Sequence, residues 1–301
     1  MCQDAFGRLP GVAWYISTTD HPSEQLLSDR GVIADRIDET AMDAFLGIDV
    51  AFAKRKRLPV AAVRWDADVL MPWGLAEHNA PAPPRGCGNV AALDDTLLAG
   101  FADDVVTYLR ELEHHFGFRI QRIGIDAPSD PRPDGVARRK AEIALDGRRI
   151  SCFTTPSVSQ FKMIRRKVNE HLAAGGAEAR LPHANQLWML VGFALFNRLR
   201  RSWECLEVFP QATASLLGAS AVHKTEPRGL AAQISAASRH TRWPAGEFQR
   251  NPFRGYVWGP AHDGLDAYMA AWVAALEPPG RKALGAPPND AIWVPNLGAS
   301  T

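Results

Sequence analysis

Residues 45–52, with the sequence FLGIDVAF, place a single carboxylate, that of Asp49, inside an apolar run. A short, continuous apolar run of this length is typical of a buried strand. Burying an unpaired charge is costly unless something compensates it. A bound metal ion would compensate Asp49, and hydrogen bonds from a loop are the alternative. Asp49 is therefore the first candidate metal ligand.

Four further acids occupy positions where polar sites are often built. In RIGIDAP, Asp126 directly follows a predicted strand and lies two residues before a proline, where it is either a ligand or a cap of the loop. In CLEVFP, Glu207 is either a further ligand or the partner of an arginine. In HDGLDAYMAA, Asp263 and Asp266 lie at a helix start, where an N-cap with a supporting acid is the alternative to a metal site.

The order of predicted elements indicates an α/β fold with a mixed sheet. Residues 43–66 predict two strands joined by the basic turn KRKR, with a third strand over 68–73. The small residues that follow Asp266 predict a last helix that lies close to the sheet. The other predicted elements are a helix over 93–116, a strand over 118–125, helices over 156–174 and 182–200, a strand over 203–209, and helices over 226–237 and 262–276.

Charge and cysteine usage narrow the class of protein only partly. Lys and Arg number 34 against 33 Asp and Glu, so the global balance names no partner. Residues 138–201 carry a local excess of basic residues, which either binds a polyanion or forms solvated helix faces. The four cysteines form no C-x-x-C pair and suggest no disulfide framework. Without a recognisable signal peptide or an apolar run that crosses a bilayer, we expect a cytoplasmic protein with no membrane partner.

Five motifs in this order resemble the DUF429 family of predicted ribonuclease H-like nucleases: GIDVA at 47–51, GIDAP at 124–128, RRISCFTTPS at 148–157, LEVFPQA at 206–212 and HDGLDAYMAA at 262–271. The last motif also resembles the closing helix of RuvC-type resolvases, in which two aspartates at i and i+3 complete a metal site. The resemblance implies four metal ligands, Asp49, Asp126, Asp263 and Asp266. Glu207 matches a family glutamate and joins the candidate catalytic set.

The implied fold is a ribonuclease H-like mixed sheet flanked by helices, with a helical insertion between the fourth and fifth strands. We expect this domain over residues 42–277, with the insertion at 129–200. Residues 1–41 have weak periodicity and predict a poorly ordered extension, which need not belong to the natural product. Residues 278–301 begin with a Pro-Pro-Gly stop and predict a C-terminal tail.

The implied activity is metal-dependent hydrolysis of phosphodiester bonds in DNA or RNA with Mg²⁺ or Mn²⁺. Two such ions, roughly 3.5–4 Å apart, polarise the nucleophile and the leaving oxygen. Arg138, Arg139 and Lys140 are candidates to hold substrate phosphate. The alternatives are a non-catalytic nucleic-acid-binding or scaffold protein, and a phosphotransferase, which would need a second domain and Gly-rich phosphate loops. The choice between DNA and RNA and the oligomeric state stay open.

Overall fold

A computed structural model describes residues 41–77, 79–246 and 251–298. The expectation for residues 1–41 thus falls, except for residue 41, outside the described residues. The strands are β1 (Met42–Asp49), β2 (Val60–Asp66), β3 (Val69–Pro72), β4 (Phe118–Asp126), β5 (Glu204–Glu207), β6 (Arg281–Ala286) and β7 (Asp290–Pro295). The α-helices are α1 (Asp95–Phe116), α2 (Lys140–Asp146), α3 (Val158–Ala173), α4 (Ala184–Leu199), α5 (Pro210–Leu216), α6 (Pro227–Thr241) and α7 (Ala261–Ala275).

The first five strands form one mixed sheet in the order β3-β2-β1-β4-β5. β1 and β2 are antiparallel, as are β2 and β3, whereas β4 lies parallel to both β1 and β5. The prediction of an α/β fold with a mixed sheet is therefore confirmed. Because β1, β4 and β5 are parallel, their carboxyl ends meet at one edge of the sheet. There the register pairs Asp49 with Asp126.

The central strand β1 is apolar on both faces because helices cover both. Residues 44–48 are all buried. On one face, Leu46 and Ile48 belong to a core that also contains residues of α1 and α4. On the other face, Phe45 packs in a second core with residues of α7. A strand buried on both faces reads as a continuous apolar run rather than an alternating one, as residues 44–48 do.

Helix α7 packs so closely against the sheet that its backbone contacts the backbone of β1 and β4. A Cβ atom added to Gly47 on β1 would lie 1.9 Å from the carbonyl oxygen of Ala267, and one added to Gly124 on β4 would lie 2.3 Å from that of Ala270. Glycine in the strands and alanine in the helix together permit this approach. The predicted close packing of the last helix is confirmed, and it brings Asp266 towards the strand ends.

The helices predicted over 93–116, 156–174, 182–200 and 226–237 correspond to α1, α3, α4 and α6 with small shifts, whereas the short helices α2 and α5 were not predicted. Helix α1 begins after Asp94, whose side chain accepts hydrogen bonds from two backbone amides, and it is followed by Gly117 in the left-handed conformation. Helices α2, α3 and α4 all lie between β4 and β5 in the chain. None of the described helices combines the length and apolar character that a membrane span requires.

The segment predicted as a C-terminal tail instead contains an antiparallel hairpin of β6 and β7. Leu284, Ile292 and Val294 of this hairpin are buried in a small apolar cluster with Ala141 and Leu145 of α2. The hairpin and the short helix α2 cover each other's apolar sides. A pattern search along the chain does not find this arrangement, because the two partners are about 140 residues apart.

Candidate metal centre

Three carboxylates converge where β1, β4 and α7 meet. Asp49 is the last residue of β1, Asp126 is the last residue of β4, and Asp266 lies in the second turn of α7. One carboxylate oxygen from each residue lies within 4.8 Å of the corresponding oxygens of the other two. Three anionic groups at this separation repel one another strongly in a partly buried setting.

The protonation behaviour of the acids reflects this crowding. Burial raises the pKa of Asp49 well above its ordinary value, and repulsion from Asp266 and Asp126 raises it further. Burial, followed by the charge of Asp266, raises the pKa of Asp126 to about 8. The three carboxylates are thus unfavourable as unneutralised anions. A cation placed among them would remove that penalty.

Asp266 supplies an independent indication that a cation belongs here. The residue is only 4% exposed, and its Oδ1 atom is buried with no hydrogen-bond partner among the described residues. Its Oδ2 atom accepts a hydrogen bond from the ammonium group of Lys224. A buried carboxylate oxygen without a partner is costly. Three carboxylates supply hard oxygen donors, and the buried Oδ1 of Asp266 is one of them. Such donors are the ligands that Mg²⁺ and Mn²⁺ prefer.

Asp263, the fourth predicted ligand, lies outside this group of three. Its Oδ2 is 2.6 Å from Nζ of Lys56. The two groups form an ion pair by distance, but the angles at these atoms do not meet the geometry of a hydrogen bond. Its Oδ1 is 3.3 Å from Nε2 of His262. The capping alternative does not hold either, because the N-cap of α7 is Pro260. Asp263 contributes a nearby negative charge that raises the pKa values of Asp49 and Asp266, after the larger effects of burial.

Glu207 is the partner of an arginine, the second of the two alternatives considered for it. Arg139 donates to both carboxylate oxygens, with N–O distances of 2.8 and 2.7 Å, and the backbone amide of Ser129 donates to Oε2 at 2.9 Å. Both side chains of the pair are buried. The pair ties the start of α2 to the end of β5, immediately beside the acidic cluster.

The fold places the three residues of the basic segment 138–140 in different surroundings. The guanidinium of Arg139 is occupied by Glu207, which leaves it poorly placed to hold a substrate phosphate. Arg138 is half-buried and contacts the carboxylate of Asp146. Lys140 is exposed, and within the described ranges its backbone amide, rather than its ammonium group, is engaged, by the Asp290 carboxylate. Of the three candidates for phosphate, Lys140 alone has an exposed charge.

Arg139→Met is expected to lower the free energy of unfolding by about 3 kcal/mol, because it leaves Glu207 buried without its counter-charge. Chemical denaturation measures this loss. Arg119→Met is the matched control, and it is expected to change stability by less than about 1 kcal/mol because both side chains of its ion pair with Asp43 are exposed. Equal losses in the two variants would contradict a special role for the buried pair.

Lys224 is the site residue that sequence reasoning missed. It lies in the loop between α5 and α6, within HKTEP. Only 17% of its side chain is exposed, and its Nζ atom contacts Asp266. No spacing or periodicity links a lysine in this loop to acids that are 42 to 175 residues away. Only the folded structure shows that Lys224 lies next to these acids.

A pocket opens beside the metal centre and shares Asp126 with it. Its walls include three aromatic side chains, Phe153, Trp188 and Phe209, and the Arg139–Glu207 pair also contributes to its lining. Phe153 is 58% exposed, so much of its ring is open to solvent. A group bound in this pocket would lie next to whatever the three carboxylates hold.

Comparison with known proteins adds one match. A family model described as "Protein of unknown function (DUF429)" matches residues 47–290. No curated protein and no solved structure matches the chain. The matched range contains the three converging aspartates and Lys224. Since it spans well over half of the sequence, the chain belongs to the DUF429 family.

Proposed function

We propose that this protein hydrolyses phosphodiester bonds in nucleic acid with a divalent metal, on a ribonuclease H-like fold. The observation that carries the proposal is the convergence of Asp49, Asp126 and Asp266 within 4.8 Å, with one buried oxygen of Asp266 that has no partner in the described part of the chain. The acids come from two parallel strand ends and one helix, so their positions are set by rigid elements rather than by loops.

The donor set suits Mg²⁺ or Mn²⁺, and such an ion, when bound, supplies an activated water and neutralises charge on the attacked phosphate. Asp49 and Asp126 would hold it from the sheet edge, and Asp266 from helix α7. The chain's own contribution is to keep these three oxygens fixed and largely shielded from bulk water. Asp263 forms an ion pair with Lys56. Its role would be to hold the positive side chain of Lys56 next to the site.

A nucleic-acid substrate is supported by the neighbouring pocket. Aromatic side chains stack on bases with little dependence on sequence, at about 1–3 kcal/mol for each base. The rings of Phe153 and Trp188 would stack on a base next to the phosphate, which the metal ion on the carboxylates would hold, because the pocket and the centre share Asp126. The exposed charge of Lys140 is then the best placed of the segment 138–140 to contact the backbone.

A second candidate function is nucleic-acid binding without catalysis. Lys224 favours it, because its ammonium group already compensates part of the acidic cluster without any metal. The overall charge of +1 also suits a specific binder better than an unspecific nuclease, which would gain from a strongly positive surface.

The test is a cleavage assay on single- and double-stranded DNA, RNA and a hybrid, with Mn²⁺ and then with EDTA. We expect cleavage of at least one substrate, abolished by EDTA and reduced at least about 10³-fold by Asp49→Asn. Asp104→Asn, a change at an exposed position on α1, is the matched control and should cleave like wild type. Absence of cleavage, together with no Mn²⁺-induced change in Tm, would favour the binding function instead.

A further inference from the structure

Lys224 makes a contact that ordinary surface lysines do not make. Its Nζ atom donates to Oδ2 of Asp266, inside the same group of acids that would bind the metal. Burying an ammonium group disfavours its charged form, so the contact requires compensation. The carboxylate of Asp266 supplies this compensation, and only 17% of the lysine side chain is exposed, so the ammonium group is a buried positive charge within the cluster.

The two oxygens of Asp266 have different surroundings. Oδ2 is taken by Lys224, whereas Oδ1 is buried and free of any partner among the described residues. One carboxylate thus offers one oxygen to the lysine and one to a further cation. An arrangement with two metal ions on this acid would instead need Oδ2 to be released from the lysine.

The charges of the cluster lead to the same conclusion. Metal binding requires all three carboxylates to be ionised, which gives a charge of minus three. Lys224 reduces this charge to minus two, which one divalent ion neutralises. A second divalent ion would leave an excess of positive charge in a partly buried site. Asp263 does not alter this balance, because Lys56 faces it at 2.6 Å.

We propose that Lys224 is the second cation of this site, so that Asp49, Asp126 and Asp266 bind one divalent ion instead of two. This inference rests on the proposed metal-dependent function and changes its mechanism. The lysine would take the place of a second divalent ion on Asp266. Its ammonium group keeps Asp266 oriented and supplies a fixed positive charge there.

The number of bound ions tests the proposal without any substrate. The full-length protein is titrated with Mn²⁺, and the electron paramagnetic resonance signal of free Mn²⁺ measures how much is bound. Wild type is expected to bind one ion. Lys224→Met removes the charge and frees Oδ2, so it is expected to bind two ions, with a spin-coupled spectrum. Lys224→Arg retains the charge and should bind one.

Lys162→Met, a change at an exposed position on α3, is the matched control and should bind one ion like wild type. Two ions in wild type would overturn the role of Lys224 but would leave the metal-dependent function standing. A single ion in both wild type and Lys224→Met would also overturn it, since the lysine would then not limit the number of ions. No bound ion in wild type would contradict the proposed function itself, and the inference with it.

Discussion

Gly47→Ala is expected to destabilise the protein by at least about 4 kcal/mol, or to prevent folding altogether. The added Cβ would lie 1.9 Å from the carbonyl oxygen of Ala267 and 2.2 Å from the amide nitrogen of Ala271. Both atoms are backbone atoms of α7, so no side chain can turn away to relieve the clash. The helix would have to move by about 1 Å to reach a tolerable distance, and this would disrupt the apolar core that it forms with β1 and β2.

Chemical denaturation followed by circular dichroism measures the effect. The matched control is Gly100→Ala on α1, where an added Cβ meets no atom within 4 Å. Because alanine is favoured over glycine inside a helix, that variant should gain about 0.5–1 kcal/mol. A Gly47→Ala protein as stable as wild type would show that α7 does not lie against β1 at this distance. The position of Asp266 beside the strand ends would then also be in doubt.

Asp126→Asn is expected to abolish metal-dependent cleavage, by about 10³-fold or more, and at the same time to stabilise the metal-free protein. Burial and the charge of Asp266 raise the pKa of this carboxyl to about 8 in the folded state, far above its value of about 4 in an unfolded chain. Between these two values the folded protein retains a proton that the unfolded chain has lost. The contribution of Asp126 to stability is therefore fully present at low pH and decreases as pH rises from about 4 to about 8.

Asparagine does not titrate, so the stability advantage of Asp126→Asn over wild type should grow across that pH window in EDTA. At pH 7 we expect a gain of about 1–3 kcal/mol, measured as an increase in Tm. Saturating Mn²⁺ should make wild type more stable than Asp126→Asn. The free energy of unfolding of wild type rises by about 2.7 kcal/mol at a hundredfold excess of free metal over Kd. The control variant Asp104→Asn should have the same stability as wild type, both in EDTA and in Mn²⁺. A metal-free variant less stable than wild type would identify Asp126 as a hydrogen-bonded structural acid.

The sequence determined the local elements because their signals are local. The apolar run of β1, the helical spacing of α1 with Asp94 and Gly117 at its ends, and the small residues of α7 each depend on neighbours within one or two turns or on one strand. These signals also marked Asp49, Asp126 and Asp266 as acids in costly positions. The α/β class followed from the order of the elements, and the structure agrees with it.

Only the tertiary structure decided which of these residues meet. Asp49 faces Asp126 because β1 and β4 are parallel neighbours in register, although 68 residues lie between the two strands. Asp263 and Asp266 are three residues apart on one helix, yet only Asp266 points to the strand ends while Asp263 reaches Lys56. Glu207 binds Arg139, Lys224 enters the acidic cluster, and the last two strands cover α2. These contacts depend on burial and charge balance between distant segments, which local periodicity does not encode.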